Sequence, residues 1–270
     1  MTDTEGVWSA PWLIGVSHKT YFTSARAREW TEAVARIAAG HLAVRSGEVT
    51  LFAVPGLLDT AATAATLAGP VQVGVQDVSE HPPGAWTGEV PAEAAAEVGC
   101  TLAEIGHAER RRWFGETDEV VAQKTARALA AGLTPLVCVG ETQQGEPETA
   151  VEETRRQIDA ALVRARTDGR DVPVVFAYEP VWAIGAPEPA GDDHIRVVAG
   201  ALRDYVHALP GFAGSRLIYG GAAGPGLLSR VGDSVDGLFL GRFAHDPAAL
   251  AAIVDEASAL LAARRGRSTP

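Results

Sequence analysis

Cysteine, methionine and basic residues are scarce in this chain, which has two Cys, one Met, and 23 Lys and Arg against 34 Asp and Glu in 270 residues. Two thiols, Cys100 and Cys138, cannot build a disulfide framework. Each lies in an apolar stretch, which predicts buried, reduced cysteines and a cytoplasmic setting. The formal net charge of −11 provides no field to attract nucleic acid or an anionic membrane, so any anionic substrate must be held by local groups. No apolar run is long enough to span a bilayer, and the opening MTDTEGVWSAP lacks the basic stretch and apolar core of a secretory signal. A soluble, unprocessed protein with no membrane partner is expected. No His, Cys, Asp or Glu cluster has metal-ligand spacing, and Gly15 is followed by Val-Ser-His-Lys rather than a dinucleotide-binding glycine turn. Neither a metal nor an organic cofactor is expected.

Apolar residues make up 47% of the chain, and they recur in short runs. Eight candidate strands lie at 12–17, 48–54, 71–77, 102–106, 134–139, 172–178, 216–219 and 235–240. Between them, helical spacing of apolar residues marks Ala25 to Ala39, Asp118 to Ala131, Ala150 to Ala165, Asp192 to Leu209 and Pro247 to Ala263. Strands that are apolar throughout, rather than alternating, belong to a parallel sheet covered on both faces. Eight strand–helix units predict a single-domain α/β protein, a closed (β/α)₈ barrel over residues 1–270, with a frayed tail from about residue 263.

In such a barrel the C-terminal ends of the strands form the functional face. Those ends carry Lys19 after the first strand, His107 after the fourth, Glu179 after the sixth, and glycines after the seventh and eighth. A cation, an electrophile and a base thus share one mouth.

The strings EIGHAERRRWFGETDE at 104–119 and AYEPVWAIG at 177–185 resemble the triosephosphate isomerase family. GAWTGEVP at 84–91, QK at 123–124, CVGE at 138–141 and YGG at 219–221 extend the resemblance over nearly the whole chain. It implies that Glu179 is a base moving a proton between neighbouring carbons, with His107 polarising the carbonyl and Lys19, partnered by Glu109, balancing the phosphate and the oxyanion. It also implies a lid, PVWAIG, anchored by Trp182, with phosphate held by backbone N–H groups at Gly185, Gly220, Gly221 and Gly241. Thr87 matches the loop by which subunits of the family interdigitate, so a homodimer is implied.

Four departures surround these positions. The family's Asn-Trp-Lys is Ser17-His18-Lys19, and the serine after YGG is Ala222. The second half of the lid reads Ala186-Pro187-Glu188-Pro189, and a glycine pair is Gly241-Arg242. Arg242 must either crowd the phosphate pocket or direct its guanidinium at the anion. The resemblance therefore leaves three readings. One is a triose-phosphate isomerase of glycolysis and gluconeogenesis, interconverting glyceraldehyde 3-phosphate and dihydroxyacetone phosphate. Another is an isomerase of a tetrulose phosphate such as L-erythrulose 1-phosphate. The third is a catalytically weak barrel that only binds a sugar phosphate.

Overall fold

A computed structural model describes residues 7–67, 69–167, 172–185 and 190–267. The apolar runs form eight strands: β1 (Trp12–Ser17), β2 (Val49–Val54), β3 (Val71–Val75), β4 (Leu102–Ile105), β5 (Thr134–Val139), β6 (Val175–Tyr178), β7 (Arg216–Tyr219) and β8 (Gly237–Leu240). All neighbours pair in parallel in sequence order, and β8 pairs with β1 to close the barrel. The predicted run at 172–178 becomes a strand only at Val175, and the one at 235–240 only at Gly237.

Ten helices of the described residues cover this sheet: α1 (Ser24–Gly40), α2 (Leu42–Arg45), α3 (Thr60–Leu67), α4 (Ala92–Glu97), α5 (Ala108–Phe114), α6 (Asp118–Ala130), α7 (Pro147–Thr167), α8 (Asp192–His207), α9 (Leu227–Val231) and α10 (Pro247–Arg267). In α1 the Thr23 side chain accepts from Arg26 N, supplying a partner for a first-turn donor. Ala27, Trp30, Thr31, Val34 and Ala38 then bury one stripe at helical spacing. In α10 helix continues to Arg267, where a frayed tail was expected. Arg264 ties that last turn to Asp233 and stacks over Trp12 at 4.7 Å, which explains its order.

Alternation along each strand sends every second side chain inward. Leu13, Phe52, Leu102, Leu136, Val175, Ile218 and Phe239 fill the lumen, with Trp8 and Ala10 belonging to the same apolar cluster. Burial of a side chain such as Phe52 contributes roughly 1.5–3 kcal/mol. Gly15 makes room for it, since a Cβ there would sit 1.9 Å from Phe52 Cζ. The lumen below is therefore a packed floor, and polar groups are left to the upper end.

Candidate active site

The upper end opens into a cavity of about 210 Å³, whose lining includes Ser17, Lys19, His107, Glu109 and Glu179. Gly185, Gly220, Gly221, Ala222, Gly241 and Arg242 complete its wall on the side of the lid, β7 and β8. The barrel thus gathers residues from positions 17 to 242 around one space. Thr87 lies instead on the exposed loop between β3 and α4 and does not line this cavity.

Glu179 immediately follows β6 and is buried, its side chain only 4% exposed. Its Oε2 is buried without a hydrogen-bond partner among the described residues. Burial raises its pKa to about 8; Lys19 opposes the shift, while the charges of Glu104 and Glu109 add to it. Gly220 is what lets the carboxylate sit there, because a Cβ at 220 would come within 2.7 Å of Glu179 Oε1. The Cys138 thiol donates to the carboxylate and also opposes the shift, yet a carboxylate shielded from water in this way is a stronger base than one in solution.

His107 faces it, with Nε2 3.3 Å from Glu179 Oε2. The backbone N–H of Glu109, in the first turn of α5, donates to His107 Nδ1 at 3.1 Å. That bond leaves the proton of the neutral ring on Nε2, directed into the cavity. Burial, helped by the charge of Lys19, holds the imidazole well below its ordinary pKa, so it is neutral near pH 7.

Lys19 Nζ lies 3.0 Å from His107 Nε2 and 2.9 Å from Glu109 Oε1. Since Nε2 carries the ring proton, the contact with Glu109 is the true hydrogen bond of the ammonium. Burial works against the cation, but that bond and the charges of Glu179, Glu109 and Glu104 outweigh it and raise its pKa. The backbone of Lys19 is left-handed, with φ of 48°, a conformation uncommon outside glycine. Gln76 Nε2 donates to the Lys19 carbonyl at 2.8 Å and helps to hold it. Strain of this kind persists where surrounding contacts fix a functional group.

The base of the lid is anchored from below. Trp182 Nε1 donates to Glu141 Oε1 at 2.8 Å, and Tyr178 Oη donates to the same oxygen at 3.2 Å. His194 Nε2 lies 3.0 Å from it. Gly185 takes a positive φ of 74°, as a hinge glycine can, and residues 186–189 lie outside the described residues. Arg242 is exposed at the cavity rim, and its guanidinium has no hydrogen bond or ion pair among the described residues.

Three polar residues of this cavity are not marked by the strand ends. Glu104 projects inward from β4, and Ser17 Oγ donates to its Oε2 at 3.3 Å. His245 Nε2 lies 3.1 Å from the Ser17 carbonyl and holds the end of β1. Tyr21 lines the outer wall beside His245, with ring centroids 5.7 Å apart. The inward position of Glu104 follows from strict alternation after Leu102, a signal that the apolar reading of the strand conceals.

The model of the triosephosphate isomerase family matches residues 12–257. The chain belongs to the triosephosphate isomerase family. Membership makes it an isomerase acting on a small sugar phosphate. L-erythrulose-1-phosphate isomerase of Pectobacterium atrosepticum is 48% identical over 248 residues, 92% of this chain and 96% of the relative. The protein of the same name from Mesorhizobium japonicum is 35% identical over 263 residues, 92% and 98% of the two chains. Triosephosphate isomerase of Herminiimonas arsenicoxydans is 46% identical over 158 residues, 57% of this chain and 63% of the relative. Among the described residues no group of His, Cys, Asp and Glu is arranged to hold a metal, and no helix is long and apolar enough to cross a membrane.

Proposed function

We propose that the chain isomerises L-erythrulose 1-phosphate, with Glu179 as the base, His107 as the electrophile and Lys19 as the balancing cation. The observation that carries the substrate is the end-to-end similarity to two proteins named for that reaction. The triosephosphate isomerase from Herminiimonas matches only 57% of the chain. The four departures from the family lie around the substrate's ends, which agrees with a change of substrate and not of chemistry.

The substrate carries its carbonyl on C2, next to the phosphorylated carbon. Glu179 removes the proton from C3, and His107 Nε2–H stabilises the oxygen of the resulting 2,3-enediolate. A substrate oxygen placed between Lys19 Nζ and His107 Nε2 would accept from both and relieve the 3.0 Å approach of two donors. His107 Nε2–H gives its proton to O2 and takes the one on O3, and return of the carbon-bound proton to C2 leaves the carbonyl on C3, so the product is a tetrulose phosphorylated at its far end. Both partners are then ketoses, whereas the same shift on a triose phosphate gives an aldehyde. Arg242 and the backbone at Gly185, Gly220, Gly221, Ala222 and Gly241 hold the phosphate, and lid closure protects the enediolate from losing it.

A binding-only barrel has no use for a buried carboxylate with one oxygen unpartnered beside a neutral imidazole, and that pairing favours the enzyme. Purified protein should show a higher kcat/KM for L-erythrulose 1-phosphate than for dihydroxyacetone phosphate. Faster turnover of the triose would overturn the substrate, and binding of both without turnover would overturn the enzyme reading.

We also infer a homodimer, formed through the loop bearing Thr87. Trp86 is 46% exposed in that loop, and Leu58 in the 3-10 turn before α3 and Trp113 and Phe114 at the end of α5 are exposed as well. Sedimentation should give twice the chain mass. A monomer at micromolar concentration would refute it.

A further inference from the structure

The reacting groups do not use Glu104, yet it is a carboxylate buried beneath them. Its neighbours in the lumen are Leu102 and Leu136, where the strands offer apolar side chains. A buried carboxylate has about four acceptor sites to satisfy. Among the described residues Glu104 receives one hydrogen bond, from Ser17 at 3.3 Å. Burial raises its pKa to about 7 despite the opposing effects of Lys19 and Ser17, the mark of an anion short of donors. An apolar residue would fill the position without this cost.

The barrel fixes which part of a substrate faces it. The residues proposed above to hold the phosphate, Gly220, Gly221, Ala222, Gly241 and Arg242, follow β7 and β8 and line the cavity. Glu179 after β6 and His107 after β4 flank the reacting carbons. In a closed eight-strand ring the strands opposite β7 and β8 are β3 and β4. The end of the substrate remote from its phosphate therefore turns toward β4, where Glu104 lines the same cavity as Lys19 and His107. A triose ends at its reacting carbons. A tetrulose adds one further carbon with a hydroxyl, a donor, at that end.

We propose that Glu104, oriented by Ser17, accepts a hydrogen bond from the terminal hydroxyl of a four-carbon substrate and thereby selects tetrulose over triose phosphates. This rests on the substrate reading above. The short Ser17 side chain leaves room for the added carbon and holds one carboxylate oxygen, so the other is left for the ligand. A site built to bind a hydroxyl discriminates strongly against a substrate that lacks it, because its buried acceptor is then unpaired.

The test measures kcat/KM for L-erythrulose 1-phosphate and dihydroxyacetone phosphate in the wild type, Glu104→Gln, Glu104→Leu and Ser17→Ala. Glu104→Leu should lower the tetrulose value at least roughly 30-fold, leaving the triose value within a few-fold or raised. Glu104→Gln and Ser17→Ala should move the ratio in the same direction by less. An equal fall for both substrates would assign Glu104 to structure and overturn the proposal. Thermal melting identifies a misfolded Leu variant, and the Gln and Ala variants then decide by the same ratio. A wild type that prefers the triose refutes the substrate reading and this inference together. A wild type that prefers the tetrulose, with an unchanged ratio in the variants, refutes this inference alone.

Discussion

The two ends of the cavity are built differently. At the β1–β4–β6 end, Glu179, His107 and Lys19 are mostly buried, and Gly220, the Glu109 N–H and the Glu109 carboxylate hold them in place. At the β7–β8 end, Ala222 and Arg242 are exposed and Arg242 has no fixed partner among the described residues. Proton transfer needs groups held to within fractions of an ångström before substrate arrives. An anion can be gripped by groups that settle on it during lid closure. On the proposed function the first end sets the reaction, and the second sets affinity for the phosphate.

Substitutions at the two ends should separate kcat from KM. The largest effect belongs to Glu179→Ala, expected to lower kcat by about 10²–10⁴-fold in steady-state assays with little change in KM. Gly220→Ala comes next. Its Cβ would meet the base at 2.7 Å, and the displaced carboxylate should cost roughly 100-fold in kcat. At the other end Arg242→Gly should raise KM several-fold at unchanged kcat, and an unchanged KM would place the guanidinium outside the site.

The pH profile sharpens the contrast. As the proposed base, Glu179 would act only when ionised, and its pKa is raised to about 8, so kcat/KM should fall as pH drops through that value and not near 4.5. Lys19 opposes this shift, while Glu104 and Glu109 add to it. Glu104→Gln removes one of those negative charges and should move the acidic limb to lower pH. The smallest effect concerns stability. His18 is buried beside the site with both ring nitrogens unpartnered, between the rings of Phe22 and Trp30 at 4.3 Å each. His18→Phe should stabilise the fold by about 1 kcal/mol in urea titration, with kcat nearly unchanged.

Much of this was legible in the sequence because parallel strands buried on both faces leave continuous apolar runs. All eight strand positions could be read that way, and the strand-end rule then located Lys19, His107 and Glu179. The short helices α2, α3, α4 and α9 were missed, since four to eight residues hold too few turns for a periodic stripe. Glu104 was missed for a different reason. A carboxylate in a lumen violates the apolar rule, and only the inward phase of β4 together with Ser17 across the barrel reveals its place. The length of α10 was also hidden, because a terminal Arg-Arg-Gly-Arg reads as solvated until Trp12 and Asp233 are seen beneath it.

The central claim is that a triosephosphate isomerase reacting centre has been kept and given a four-carbon substrate. Incubation of L-erythrulose 1-phosphate with the protein in D₂O, followed by NMR, tests it directly. The expected result is a product tetrulose with its carbonyl moved by one carbon, deuterium at the former carbonyl carbon, phosphate retained, and none of this with Glu179→Ala. Unchanged L-erythrulose 1-phosphate beside rapid deuterium uptake into dihydroxyacetone phosphate would contradict it.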